Sequence, residues 1–300
     1  MLWITADLDS FGLNVSLAKE PMESRAAIKA FGELSLAYAV INERVSAIRD
    51  LELRGVIRDQ LAIWKSFILK EMLKPEYLDL MHKIPSSIDY YLLPYLTIRR
   101  EGRYLEEFER ALQSQFLSGL PSSFELVPYL QLDRAYFNWK SGLQVIEPNW
   151  LALYRATGMA KSRNLVGMTS GDAYNITHTI FYITDFGKKA PPFSQAEKRR
   201  VLRLLHSLLV HFWRTGFWDV VGELLLNALS MRSDPSYLYV QASNSFFNSS
   251  QMDDGSFIPK SSHLKRLNNR QTQGRFSQNY HTTLVGAMFA TAVVLDANRQ

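Results

Sequence analysis

The sequence contains no cysteine. Disulfides, thiolate zinc sites, iron–sulfur clusters and cysteine nucleophiles are excluded, and a reducing compartment fits. Charge of one sign is scarce as well: 34 Lys and Arg against 29 Asp and Glu leave a formal net charge of +5. The basic residues are scattered, with short runs at Lys198-Arg199-Arg200 and Lys265-Arg266. A nucleic-acid protein shows a denser patch, so no nucleic-acid partner is expected. No apolar run reads as long enough to cross a membrane. The opening Met1-Leu-Trp-Ile-Thr-Ala-Asp-Leu-Asp9 has no basic leader and places acids too early for a signal peptide, so the expected location is cytoplasmic. Nowhere do apolar and polar residues alternate convincingly at period two, which argues against a sheet-based fold.

What the chain does have is apolar helix. Helical periodicity predicts segments at about 25–48, 50–73, 75–98 (in two pieces broken near Pro85), 104–117 and 124–139, then from Pro148, at 171–185 and 194–215, from 217, at 235–248, and from 280 almost to the end. Residues 1–24 read as an irregular lead-in with room for a short helix, residues 25–300 as one all-helical domain, and Lys260–Gln278 as polar, basic and irregular. In the second half, apolar helices (from 171, 217 and 280) alternate with more polar ones (from 194 and 235). A helix apolar nearly all round is buried on all sides, and an amphipathic one covers it. Hairpins of one inner and one outer helix, repeated about every 45–60 residues, give about six in this length and predict an all-α, (α/α)6-type toroid. The alternative is an open superhelix, which should show repeat consensus and polar caps.

The stretch Ser170–Gly187 concentrates chemistry-bearing residues. Ile176, Ile180 and Ile183 form an apolar stripe. His178, Tyr182 and Asp185 fall at i, i+4 and i+7 on another face. Asp219 and Glu223 share a face of the helix from 217, and His281 lies near the start of the last one. The catalytic candidates are His178, Asp185, Glu223 and His281. Tyr174, Tyr182, Asp133 and Asp219 are candidates for substrate binding, with Asp89 as a further contributor. A histidine beside an acid moves protons near neutral pH. Two histidines and a carboxylate, here His178, Glu223 and His281, also have the chemistry of a zinc or iron site. Bland roles compete: Asp185 in a salt bridge or cap, Asp219 as an acid of the first helical turn, His281 as a cap, His178 as a hydrogen-bonded core histidine. Glu223 is hardest to dismiss, because apolar helices seldom bury a lone Glu.

Two sets of residues carry a resemblance. Gln251-Met-Asp-Asp-Gly-Ser-Phe257 is similar to the Gln-x-x-Asp-Gly-Ser-Trp/Phe repeat of terpene-cyclase and prenyltransferase-type toroids, where the repeat ties the end of an outer helix to the next inner helix. The segments Thr177–Gly187, Trp218–Leu225 and Tyr280–Gly286 together resemble a bacterial family of toroid-type domains often found near natural-product biosynthesis genes. This resemblance covers about residues 75–297 and implies the fold more than a reaction. Asp-Asp-x-x-Asp, the Asp-x-Asp-Asp acid and a cysteine zinc ligand are all missing, so the mechanisms of the well-known toroids do not carry over.

Three functions follow as expectations. The first is an enzyme of bacterial specialised metabolism, acting on a hydrophobic small-molecule or peptide-like intermediate by cyclisation, isomerisation or elimination, with or without a divalent metal. The second is a non-catalytic toroid that binds a peptide or a carrier-bound partner. The third is a terpene-type cyclase.

Overall fold

The computed structural model describes residues 1–13, 21–100, 102–119, 123, 125–161, 167–232, 236–263 and 272–297. The all-α class is as predicted: among the described residues there is no strand, only one isolated antiparallel bridge between Gln251 and Phe257. In chain order the helices are α1 (Leu2–Ala6), α2 (Pro21–Val45), α3 (Leu51–Met72), α4 (Pro75–Lys83), α5 (Ile88–Arg100), α6 (Glu106–Leu117) and α7 (Pro128–Lys140). They continue with α8 (Trp150–Ala156), α9 (Gly158–Lys161), α10 (Ser170–Ile183), α11 (Gln195–Arg214), α12 (Trp218–Ser230), α13 (Tyr237–Ser250) and α14 (Thr272–Ala297). They group into two compact units, Met1–Val127 with Arg134–Pro148, and Pro128–Asp133 with Asn149–Gln300.

In the first unit the chain begins ordered. Within the predicted lead-in, α1 and a 3-10 turn at Leu8–Phe11 bury Trp3, Ile4, Leu8 and Phe11. The Thr5 hydroxyl donates to Gln60 Oε1 at 2.5 Å and accepts from Trp64 Nε1 at 2.8 Å. Those two bonds fasten α1 to α3. The buried Glu71 carboxylate accepts the Leu13 amide at 3.0 Å and faces Lys74 Nζ at 2.5 Å. It thereby satisfies backbone that would otherwise be buried without a partner. Helix α2 packs against α3 and α5. Tyr77 and Tyr95 stack on Phe108 with centroids 5.6 and 5.3 Å apart. Asp89 is held by two bonds from Arg134, at 2.9 and 2.8 Å.

The second unit is built around α12. Every residue of this helix except Leu229 is buried, and α10, α11, α13 and α14 all pack on it. Helix α11 covers it with Val201, Leu204, Leu205, Leu208, Leu209 and Phe212, an apolar stripe at helical spacing. The approach of α13 and α14 is close because Gly222 has no side chain: a Cβ there would lie 2.9 Å from both Phe246 Cζ and Val285 Cγ1.

The Gln251–Phe257 segment forms a turn in which Asp254 Oδ1 accepts the Ser256 amide at 2.9 Å and its hydroxyl at 2.7 Å. The Phe257 amide then donates to Thr283 Oγ1 at 2.9 Å, so the end of α13 is tied to α14.

Helix α14 begins at Thr272, earlier than the predicted start near Tyr280, so residues 272–278 are helical. Residues 264–271, including Lys265 and Arg266, lie outside the described residues. The longer helix bears on the expectation that no apolar run is long enough to cross a membrane. Arg275–Ala297 is 23 residues long and contains an 18-residue window of mean hydropathy 1.2, which is long and apolar enough to span a membrane by length and composition. Of its most apolar window, 56% is buried inside the protein.

Candidate functional site

Although buried, α12 carries Asp219, Glu223 and Asn227 at four-residue spacing, stacked on one face. Apolar surroundings tolerate such groups only when partners satisfy them. For the two acids the partners come from α10 and α14, whereas the buried Asn227 Oδ1 has no hydrogen-bond partner among the described residues. Asp219 accepts the Tyr174 hydroxyl at Oδ2 and the Thr282 hydroxyl at Oδ1, the latter at 2.6 Å. Glu223 accepts the Thr177 hydroxyl at Oε2, and its Oε1 lies 3.2 Å from His281 Nε2. The other oxygen is 3.7 Å from His178 Nδ1. Below it, Asn227 Nδ2 donates to the Glu223 carbonyl at 2.9 Å. One carboxylate therefore stands between two imidazoles.

The local sequence aims these groups. A capping box between Thr169 and Asp172 fixes the start of α10. Tyr174 and His178 follow one turn apart, with Thr177 beside them. His178 Nδ1 is 2.8 Å from the Tyr174 carbonyl oxygen, which can only accept. The proton is therefore on Nδ1, and in the neutral ring Nε2 carries the lone pair. His281 is placed differently. Its Nε2 faces Glu223 at 3.2 Å and Asp219 at 3.8 Å, so this nitrogen is the one that carries a proton toward the acids. Burial alone would push the Glu223 carboxyl up. The His178 and His281 imidazoles and the Thr177 hydroxyl outweigh it, and the net direction is below the ordinary glutamate value. Exposure orders the site: the Glu223 side chain is 2% exposed and that of Asp219 8%, against 32% for His178 and 28% for His281. The acids are inside and the imidazoles reach outward.

Aromatic rings frame His178. Tyr174, Phe181 and Tyr182 meet it edge-on with centroids 6.3, 6.0 and 6.1 Å away. Phe217 packs on Tyr174 at 6.4 Å and carries Lys260 Nζ 4.0 Å from its own centroid.

Of the residues named from the sequence, His178, Glu223, His281, Asp219 and Tyr174 come together in one hydrogen-bonded group. Tyr182 stands beside it as a ring. Asp185 does not share their helical face. Helix α10 ends at Ile183, and Asp185 follows in a left-handed conformation with φ 48°. The i+7 argument assumed a helix two residues longer. Asp133 stands on α7 near Tyr129, whose hydroxyl is pushed up by burial and by the Asp133 charge, whereas the group draws its side chains from α10, α12 and α14. Asp89 is engaged by Arg134.

Among the described residues no set of three His, Asp or Glu side chains is arranged to hold a metal ion. The expected zinc or iron ligands His178, Glu223 and His281 are neighbours, but His281 directs its Nε2 at Glu223 and His178 directs its Nδ1 at a carbonyl. Sequence reasoning missed Thr177, Thr282 and Asn227. The signal was there: each threonine is adjacent to a chosen histidine, and Asn227 continues the four-residue spacing of Asp219 and Glu223.

No curated protein and no solved structure matches the chain. The family model described as Domain of unknown function (DUF6895) matches residues 1–291, and the chain belongs to that family.

Proposed function

We propose that the second unit is an acid–base enzyme that relocates a proton on an apolar intermediate, with His178 as base and His281 as acid. The observation that carries this reading is the Glu223 carboxylate standing between two half-buried imidazoles, one holding its Nδ1 on a backbone carbonyl and the other directing its Nε2 at the carboxylate. His178 Nε2 takes a proton from a carbon next to an unsaturated group. The C–H pair moves into that group, and His281 delivers a proton to its far end. His281 has then lost one proton and His178 has gained one, so solvent exchange resets both. This sequence is an isomerisation. Elimination and cyclisation share its first step and differ in where the electron pair goes. The aromatic frame of Tyr174, Phe181 and Tyr182 suits an apolar substrate, of the kind expected in specialised metabolism. The (α/α)6 toroid belongs to this proposal too. Supporting it are the burial of α12 on all sides and the tie from Gln251–Phe257 to α14.

The test is to incubate the protein in D2O with a metabolite extract from a strain lacking it, and to follow the mixture by mass spectrometry. A compound should be consumed and its product should carry deuterium. His178→Asn should lower that conversion by about 10²–10⁴-fold, the usual contribution of a general base. If the wild type converts nothing that His178→Asn spares, the acid–base reading fails and a binding protein is favoured.

A further inference from the structure

The end of α10 is strained where the aromatic frame of His178 is completed. Asp185, Phe186 and Gly187 have φ of 48°, 53° and 88°, three consecutive residues in the left-handed region. Only the third is glycine. For a non-glycine residue this conformation brings Cβ against the following carbonyl oxygen, and for Phe it is a genuine outlier. A helix that ended at Gly187 alone would need no such distortion.

The segment is over-determined by its surroundings, as a strained backbone must be to persist. The Phe186 amide donates to the Phe181 carbonyl at 2.7 Å, and the Gly187 and Lys189 amides both donate to the Thr184 carbonyl at 2.9 Å. The buried Thr184 hydroxyl donates in turn to the Ile180 carbonyl at 2.6 Å. Asp185 and Phe186 are themselves buried.

The left-handed turn folds the Phe186 ring back onto the helix it follows. It stacks on Phe181 with centroids 5.0 Å apart and planes 9° from parallel, and meets Tyr182 edge-on at 6.2 Å. Those two rings are the ones that flank His178 from the following turn. A chain of ring contacts therefore runs from the strained turn to the imidazole.

We propose that Phe186 is a positioning residue: the left-handed turn Asp185–Gly187 wedges its ring behind Phe181 and Tyr182, and this brace holds His178 with Nδ1 on the Tyr174 carbonyl and Nε2 outward. The role given to Nε2 rests on the acid–base reading above. The geometric claim does not, and it is measured without a substrate.

The experiment is long-range 1H–15N correlation of the histidine side chains in uniformly labelled protein, which distinguishes the Nδ1–H from the Nε2–H tautomer. It compares wild type, Phe186→Ala, Phe186→Leu and Phe186→Tyr, recorded where the His178 ring is neutral. Wild type and Phe186→Tyr are expected to show the Nδ1–H tautomer with one His178 Cε1–H position. Phe186→Ala should shift that resonance and mix the tautomers. Phe186→Leu, which keeps the apolar bulk but has no ring face, should do the same and serves if the alanine variant does not fold. A purely structural phenylalanine would lower the melting temperature and leave the His178 tautomer and shift as in wild type. That result in a folded Phe186→Leu protein overturns the proposal. Should the tautomer respond while no conversion is ever found in D2O, the brace stands and the enzyme reading falls.

Discussion

Replacing Glu223 with Gln tests the centre of the site without changing its shape. The wild-type carboxylate is nearly inaccessible and accepts from Thr177 and from His281 Nε2 at 3.2 Å, with His178 3.7 Å away. The amide keeps one acceptor and loses the charge, and its NH2 group must face a hydroxyl or an imidazole that was donating. Removing one partner of a buried pair destabilises by about 3–5 kcal/mol, and an isosteric replacement belongs at the lower end, about 3 kcal/mol. For a unit of this size that is a fall of about 6–12 °C in Tm. The dependence on pH supplies an independent sign. The folded pKa of Glu223 lies below its unfolded value. Its contribution is therefore complete above the ordinary glutamate range, about pH 4.3, and is lost as pH falls through the lower folded value. The variant has nothing to titrate at this position. Urea unfolding of both proteins at pH 6, 5, 4 and 3 should show a constant gap at the upper two values and a closing gap below. A difference under about 1 kcal/mol at pH 6, or one that stays the same down to pH 3, would refute the assignment of Glu223 as a charged, paired carboxylate.

Tyr174→Phe removes the hydroxyl that donates to the buried Asp219, and should lower stability by about 1–3 kcal/mol in urea unfolding, the penalty for an acceptor left short of a donor. Gly222→Ala would place a Cβ 2.9 Å from Phe246 and Val285, and should destabilise by about 1–3 kcal/mol by forcing α13 and α14 off α12. A neutral or stabilised Gly222→Ala protein would contradict that packing. Arg200 donates to Glu197 at 2.7 Å and to the Met159 carbonyl at 2.8 Å, and its hydrogen bond is the main cause of the lowered Glu197 pKa. Arg200→Met should therefore lower the Tm at pH 7 by an amount that shrinks as pH falls below the ordinary glutamate range, because that contribution exists only while Glu197 is ionised.

Several features of this protein were legible along the chain because they are local. Helical periodicity located the helices from 50 and from 194, whose caps Asp50 and Ser194 do accept the Leu53 and Glu197 amides. It also picked out the apolar helix from 217, and the glutamate inside that run is the one that accepts from Thr177 and faces His281. Boundaries were less legible. The start of α14 at Thr272 falls in a polar stretch with no apolar signal to announce it, and the end of α10 at Ile183 moved Asp185 off the face that phase alone had given it. That shift turned an expected catalytic acid into part of a strained turn.

The sequence by itself determined most of the helical segments, which of them are apolar enough to be buried, and that His178, Glu223 and His281 need partners. Periodicity and burial propensity act within a few residues, so one segment is enough to show them. Only the tertiary structure decided that Glu223 lies between the two imidazoles, that a backbone carbonyl sets the His178 proton, and that Thr177 and Thr282 complete the carboxylates' hydrogen bonds. Glu223 and His281 are separated by 58 positions, and their meeting depends on how closely α14 can approach α12. That approach is set by Gly222, Val285 and Phe246, whose packing no periodicity along one segment encodes.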